Sequence, residues 1–201
     1  MLSKNDLKLI GSFIDSKNMK ECLNYCLVNE KGIFATDTKK AISFNCTGAK
    51  NSGLVHKKML KGLETCLGKD DTIALKGDYF VNSTVKMNIN GSETVKNDHF
   101  VNIDRIIDMA LINHFVLEDI SDLQFELAQR NCYIDDILLN PVISFNECDY
   151  FDIFYKEQVQ EGSNINAGTV KIIGQKDIDE TREVVFTVVL LGRAFLSQIE
   201  E

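Results

Sequence analysis

Histidines and adjacent carboxylates are the residues of this sequence that could support catalysis, but their spacing matches no catalytic motif. The three histidines are scattered along the chain: His56, His99 and His114. His99 follows Asp98, a pairing that could supply a general base or could simply belong to a surface turn. Two adjacent pairs could serve a metal or merely face solvent: Asp70-Asp71 and Asp135-Asp136. Because no phosphate-binding loop, nucleophile elbow or zinc-protease motif is present, we predict no enzymatic activity, no metal and no cofactor.

Lysines at helical spacing form a second group. Two predicted helices, over residues 3–16 and 55–67, carry lysines to one side of an apolar stripe. The lysines on or just after these helices are Lys4, Lys8, Lys17, Lys20, Lys57, Lys58 and Lys61. Such a row is either a solvated helix face or a locally basic surface.

Charge is divided unevenly along the chain, which carries a net charge of −8. Residues 1–105 contain 16 Lys and Arg against 12 Asp and Glu, a net of +4. Residues 106–201 contain 6 against 18, a net of −12. The acidic total opposes indiscriminate binding of polyanions, but one basic face remains compatible with it.

The 201 residues, 44% of them apolar, suffice for one large domain or two smaller ones. No stretch approaches the roughly 18 apolar residues of a membrane span. The charged residues among the first eight positions are not those of a signal peptide. We expect a cytoplasmic protein whose six cysteines are reduced core thiols.

The elements that must position these residues alternate between helix and strand in the first half. Ser3 and Asp6 predict a capped start for the first helix, and Gly68 predicts the end of the second. Short alternating runs over residues 23–49 and 72–103 predict antiparallel strands.

The second half reads as poor in helix and rich in strand. A helix is predicted from Ile120 to about Arg130, whereas residues 105–115 are either a connector or a short helix. Residues 162–168 have the composition of a flexible loop. The predicted strands are Val142 to Phe145, Tyr150 to Tyr155, Thr169 to Ile173 and Val184 to Leu191. The fold class is therefore α+β.

Four passages, in this order and spacing, resemble one domain of the bacterial DNA polymerase III beta-type sliding clamp family. Two match its helices, one matches a strand ending in Ala-Thr-Asp, and one matches the segment that crosses to the next domain. Lys4 to Ile14 and Val55 to Leu67 match the helices, Gly32 to Asp37 matches the strand, and Phe100 to Ile107 matches the crossing segment. The second half matches in outline, through a helix followed by strands. The resemblance implies two clamp-like domains, over residues 1–107 and 108–201, with helices packed on antiparallel sheets.

The resemblance also implies a role: a bacterial or phage processivity factor that encircles double-stranded DNA. Its partners would be a DNA polymerase and a clamp loader. Six domains usually complete the ring, so two per chain imply a homotrimer. All seven lysines named above would then contact phosphates, because mobile ammonium groups suit contacts that exchange during sliding. Partner peptides would dock near three leucines, which could equally be core: Leu111, Leu190 and Leu191.

A second hypothesis keeps the fold and changes the role. The acidic second half could bind a basic partner or mimic DNA, which would make the chain a non-enzymatic interaction protein.

Overall fold

The computed structural model describes residues 1–15, 21–89, 103–161, 164–166, 168–179 and 181–192. These residues form two compact units, Met1–Asp108 and Met109–Glu201. The predictions made for Lys17, Lys20 and His99 lie outside the described residues.

The first unit contains an antiparallel sheet in the order β5-β2-β3-β4. Its strands are β2 (Tyr25–Asn29), β3 (Gly32–Thr36), β4 (Lys40–Phe44) and β5 (Gly53–His56). Alternate residues point to opposite faces, and both faces are buried. Cys26, Ile33 and Val55 are fully buried, while Tyr25, Phe34 and Leu54 form a separate cluster. This explains why the strands read as apolar runs.

Three helices pack against that sheet. They are α1 (Lys4–Ser12), α2 (Lys57–Cys66) and α3 (Ile103–Ile107). The predicted capping box of α1 is confirmed, because Ser3 Oγ accepts from the Asp6 backbone N–H and Asp6 Oδ2 accepts from the Ser3 N–H. His56 Nδ1 accepts from the Lys58 N–H and caps α2. Contacts of α1 with β3 and of α2 with β5 set both helices on the sheet.

A second antiparallel sheet of the first unit has the order β1-β6-β7-β8. Its strands are β1 (Leu2–Ser3), β6 (Thr72–Lys76), β7 (Tyr79–Val81) and β8 (Lys86–Asn88). Gly48 joins this sheet to the loop before β5, because its carbonyl accepts from the Gly77 N–H at 2.8 Å. A Cβ at Gly48 would collide with the Leu75 carbonyl, and its φ of 127° also favours glycine.

The second unit is built on antiparallel strands in the order β14-β13-β10-β9. They are β9 (Asn113–Leu117), β10 (Tyr150–Lys156), β13 (Thr169–Ile178) and β14 (Thr181–Leu191), with a small hairpin of β11 (Val159–Glu161) and β12 (Asn164–Asn166). Strands were correctly predicted at β10, β13 and β14. The hairpin occupies part of the segment predicted as a loop, and β9 was not predicted as a strand.

The helices of the second unit are α4 (Leu123–Gln129), which follows a 3₁₀ turn at Ile120–Asp122, and α5 (Asp136–Ile143). The strand predicted from Val142 to Phe145 is wrong, because most of it belongs to α5 and the turn that follows. Asp135 caps this helix, and Leu138, Leu139 and Val142 are buried at helical spacing. Helices and antiparallel sheets in both units confirm the α+β class.

The cysteines do not share one environment. Burial raises the pKa of Cys26 to about 12 and that of Cys132 to about 11, so these thiols stay protonated near neutral pH. Cys66 is exposed, contrary to the expectation of core thiols alone. No helix within the described residues is both long and apolar enough to cross a membrane.

Candidate nucleic-acid interface

Two lysines hold α1 and α2 together. Lys4 at the start of α1 donates to the Leu67 carbonyl just after α2, at 3.4 Å. Lys57 at the start of α2 donates to the Ile14 carbonyl just after α1, at 2.6 Å. The two helices therefore run antiparallel, and each begins with an ammonium group that satisfies a carbonyl at the other's C-terminal end. Lys4 and Lys57, both half-buried, thus have a structural role that their spacing did not reveal.

Three other lysines point away from the core. Lys8, Lys58 and Lys61 are exposed. At 100° per residue, Lys8 lies opposite the buried face of α1, and Lys58 lies opposite that of α2. The acidic residues of these helices interfere little, because Asp6 is buried in its capping box and Glu64 is half-buried. We call the surface of Lys8, Lys58 and Lys61 the lysine face.

One further lysine, Lys40, is buried near the helix pair of α1 and α2, and its burial was not predicted from the sequence. Lys40 is 8% exposed, with its ammonium 3.8 Å from Asp37 Oδ2 and 5.2 Å from the centre of the Phe13 ring. Burial lowers the pKa of Lys40; Asp37 opposes this shift and the positive charge of Lys57 adds to it. Because its ammonium is buried and paired with Asp37, Lys40 belongs to the packing beside α1 and is not part of the lysine face. Its position at the start of an alternating strand gave no sign of burial.

Two glycines on the outer side of the helix pair have no steric function. Among the described residues, a Cβ on Gly11 or Gly62 would meet nothing within 4 Å. Glycine within a helix costs about 1 kcal/mol relative to alanine. We therefore expect Gly62→Ala to stabilise the protein by about 0.5–1 kcal/mol, measured as the free energy of unfolding in urea. A loss of stability would show that the space above Gly62 is occupied.

The three predicted docking leucines have different environments. Leu190 is fully buried in β14, so it serves as core. Leu191 is 38% exposed and Leu111 is half-buried. The strand register places Leu191 at the same end of the sheet as Asn113, which lies two residues after Leu111. Because their strands lie three spacings apart, about 14 Å, these two leucines do not form one small pocket.

The carboxylates considered for metal binding serve local structure. Asp71 Oδ2 accepts from the Gly68 N–H, and Asp135 Oδ1 accepts from the Ile137 N–H. Asp136 accepts from the Gln124 amide. Within the described residues, no cluster of three or more His, Cys, Asp or Glu side chains could hold a metal ion.

The structure also pairs one histidine with a carboxylate. His114 Nε2 lies 3.0 Å from Asp152 Oδ1, on the neighbouring strands β9 and β10. The sequence did not suggest this pair, because β9 was not predicted as a strand.

Comparisons with known proteins find a likeness among solved structures. No protein-family model matches the chain, and no curated protein sequence matches it. Among solved structures, the chain is similar to a provisionally assigned DNA polymerase III beta subunit from Eubacterium rectale ATCC 33656, with 15% sequence identity and a TM-score of 0.47. The match covers 98% of this chain and 66% of that one, so this chain spans less than two thirds of its length.

Proposed function

We propose that this protein is a DNA sliding clamp, a ring that encircles duplex DNA and tethers a DNA polymerase after loading by a clamp loader. The main support for DNA binding is the lysine face, which lies on a fixed pair of antiparallel helices. Its three ammonium groups point away from the core on helices locked by the bonds of Lys4 and Lys57. Flexible lysine side chains on fixed helices can contact phosphates without recognising the base sequence.

The seven lysines predicted to contact phosphates would have different roles. Lys8, Lys58 and Lys61 would touch phosphates directly. Lys4 and Lys57 would hold the helices while contributing positive potential from half-buried positions. Lys17 and Lys20, which follow α1 in the sequence, remain predicted phosphate contacts.

The ring is tested by mass and by topology. With two domains per chain, over residues 1–107 and 108–201, three chains would supply the six domains of a ring. Light scattering should therefore give about three times the 22.7 kDa mass of one chain. The assembled protein should stay on circular DNA and leave after a single cut, because a ring slides off a free end. A single-chain mass at every concentration would disprove the ring, as would equal retention on circular and linear DNA.

A second candidate role, that of an interaction protein, is favoured by the charge of the second unit. Residues 118–143 contain six carboxylates and one arginine, a net of −5. Such a surface repels phosphates and suits a basic partner or the nucleic-acid groove of another protein. Inhibition of a DNA-binding protein by the wild-type chain, without any DNA binding of its own, would favour this role over the clamp.

A further inference from the structure

The helices of the second unit expose large apolar side chains among carboxylates. Phe125 on α4 is 64% exposed, Ile137 on α5 is 73% exposed and Tyr133 between them is 48% exposed. Phe125 lies opposite Leu123 and Leu127, the buried residues of α4. The Phe125 ring therefore does not pack in the core, and its exposure to water does not stabilise the folded protein.

A hydrogen bond joins the two helices that carry Phe125 and Ile137. The Gln124 amide donates to Asp136 and links α4 to α5. Phe125 lies opposite the buried residues of α4, and Ile137 lies away from the buried residues of α5, so both side chains project outward from neighbouring helices. We call the surface of Phe125 and Ile137 the α4–α5 face.

The segment that contains α4 and α5, residues 118–143, carries six carboxylates and one arginine. Glu126 pairs with Arg130, the one basic residue between positions 118 and 143. Asp122 and Asp136 are exposed, and neither forms an ion pair within the described residues. The face therefore combines an apolar centre with a negative rim.

From this combination we infer that the α4–α5 face docks a cationic amphipathic peptide segment of a partner protein. Apolar side chains of the segment would cover Phe125 and Ile137, while its Lys or Arg residues would meet the carboxylate rim. Duplex DNA fits poorly, because it is anionic. The lysine face of a second copy also fits poorly, since neither α1 nor α2 exposes a large apolar side chain. This inference rests on the second role proposed above, which it deepens by naming the site and the kind of partner, and it does not depend on the clamp proposal.

The experiment uses two synthetic 15-residue peptides and fluorescence anisotropy on the full chain. One peptide combines lysine with leucine at helical spacing, and the other replaces each leucine with serine at the same charge. We expect the leucine peptide to bind at least tenfold more tightly, because only it can bury the two apolar side chains. Amide hydrogen exchange should slow in residues 123–143 when it binds.

Three double variants locate the binding, and the first two are a matched pair. Phe125→Ser with Ile137→Ser should weaken the leucine peptide about tenfold or more. Ile178→Ser with Val184→Ser removes apolar side chains that are 42% and 39% exposed elsewhere in the same unit, and should leave binding unchanged. Asp122→Asn with Asp136→Asn should weaken binding and flatten its salt dependence.

Three results would overturn the inference. Equal affinity for both peptides would mean that acidity alone attracts them. Equal losses in the two serine variants would place binding away from the α4–α5 face. Concentration-dependent self-association that Phe125→Ser with Ile137→Ser abolishes would mean that a second copy covers this face.

Discussion

Replacing Lys8, Lys58 and Lys61 together with glutamate is expected to reduce affinity for duplex DNA by about 100-fold at low salt, since each change removes a phosphate contact and adds repulsion. The dependence of log affinity on log salt concentration should also become shallower by about 3, because each phosphate contact contributes about 0.9 to that slope. Fluorescence anisotropy with a labelled duplex over a salt series measures both quantities. The triple variant should remain folded, since all three side chains are exposed.

A control variant must separate the effect of losing the lysine face from the effect of changing the net charge. Lys39, Lys50 and Lys76 are exposed in the same unit but lie outside α1 and α2, and replacing them with glutamate changes the net charge equally. This control should lose little affinity and keep its salt slope. If both triple variants lose affinity equally, the lysine face is not the DNA contact and only overall potential matters.

The sequence was sufficient where local signals determined the structure. Ser3 and Asp6 form a capping box through neighbours three positions apart, so the start of α1 was predictable. Lys58 and Lys61 of α2 are exposed, as their positions beside the apolar stripe indicated. The α+β class followed from apolar runs of two different periods.

Sequence reasoning failed where distant or competing signals decided the structure. The bonds of Lys57 to Ile14 and of Lys4 to Leu67 join positions 43 and 63 residues apart, so only the packing of two helices reveals them. The apolar run at the end of α5 suggested a strand, but the Asp135 cap and the buried stripe of Leu138, Leu139 and Val142 favour a helix. The exposure of Phe125 was hidden because apolar residues on a predicted helix suggest core.

A substitution at Gly174 should strongly destabilise the second unit. Gly174 of β13 is opposite Phe186 of β14, and the ring of Phe186 fills the space where a side chain would stand. A Cβ there would lie 2.5 Å from Phe186 Cε1 and 2.9 Å from Cys148 Sγ. Phe186 cannot easily yield, because it is fully buried and packs edge-on against Phe145 at 5.5 Å. We expect Gly174→Ala to cost about 3 kcal/mol, the upper end for an overpacked core.

A double-mutant cycle tests the cause of that loss. Phe186→Leu shortens the side chain that the new methyl group would meet, so Gly174→Ala should cost less in its presence. Urea unfolding followed by circular dichroism gives the four free energies of unfolding, and we expect a coupling of about 1–2 kcal/mol between the two positions. Gly62→Ala, where a Cβ meets nothing within 4 Å in the described part of the chain, provides the glycine control. The pairing of β13 with β14 shifts register between Gly174 and Gln175. If Phe186→Leu leaves the cost of Gly174→Ala unchanged, the backbone at this shift, rather than the Phe186 ring, requires glycine.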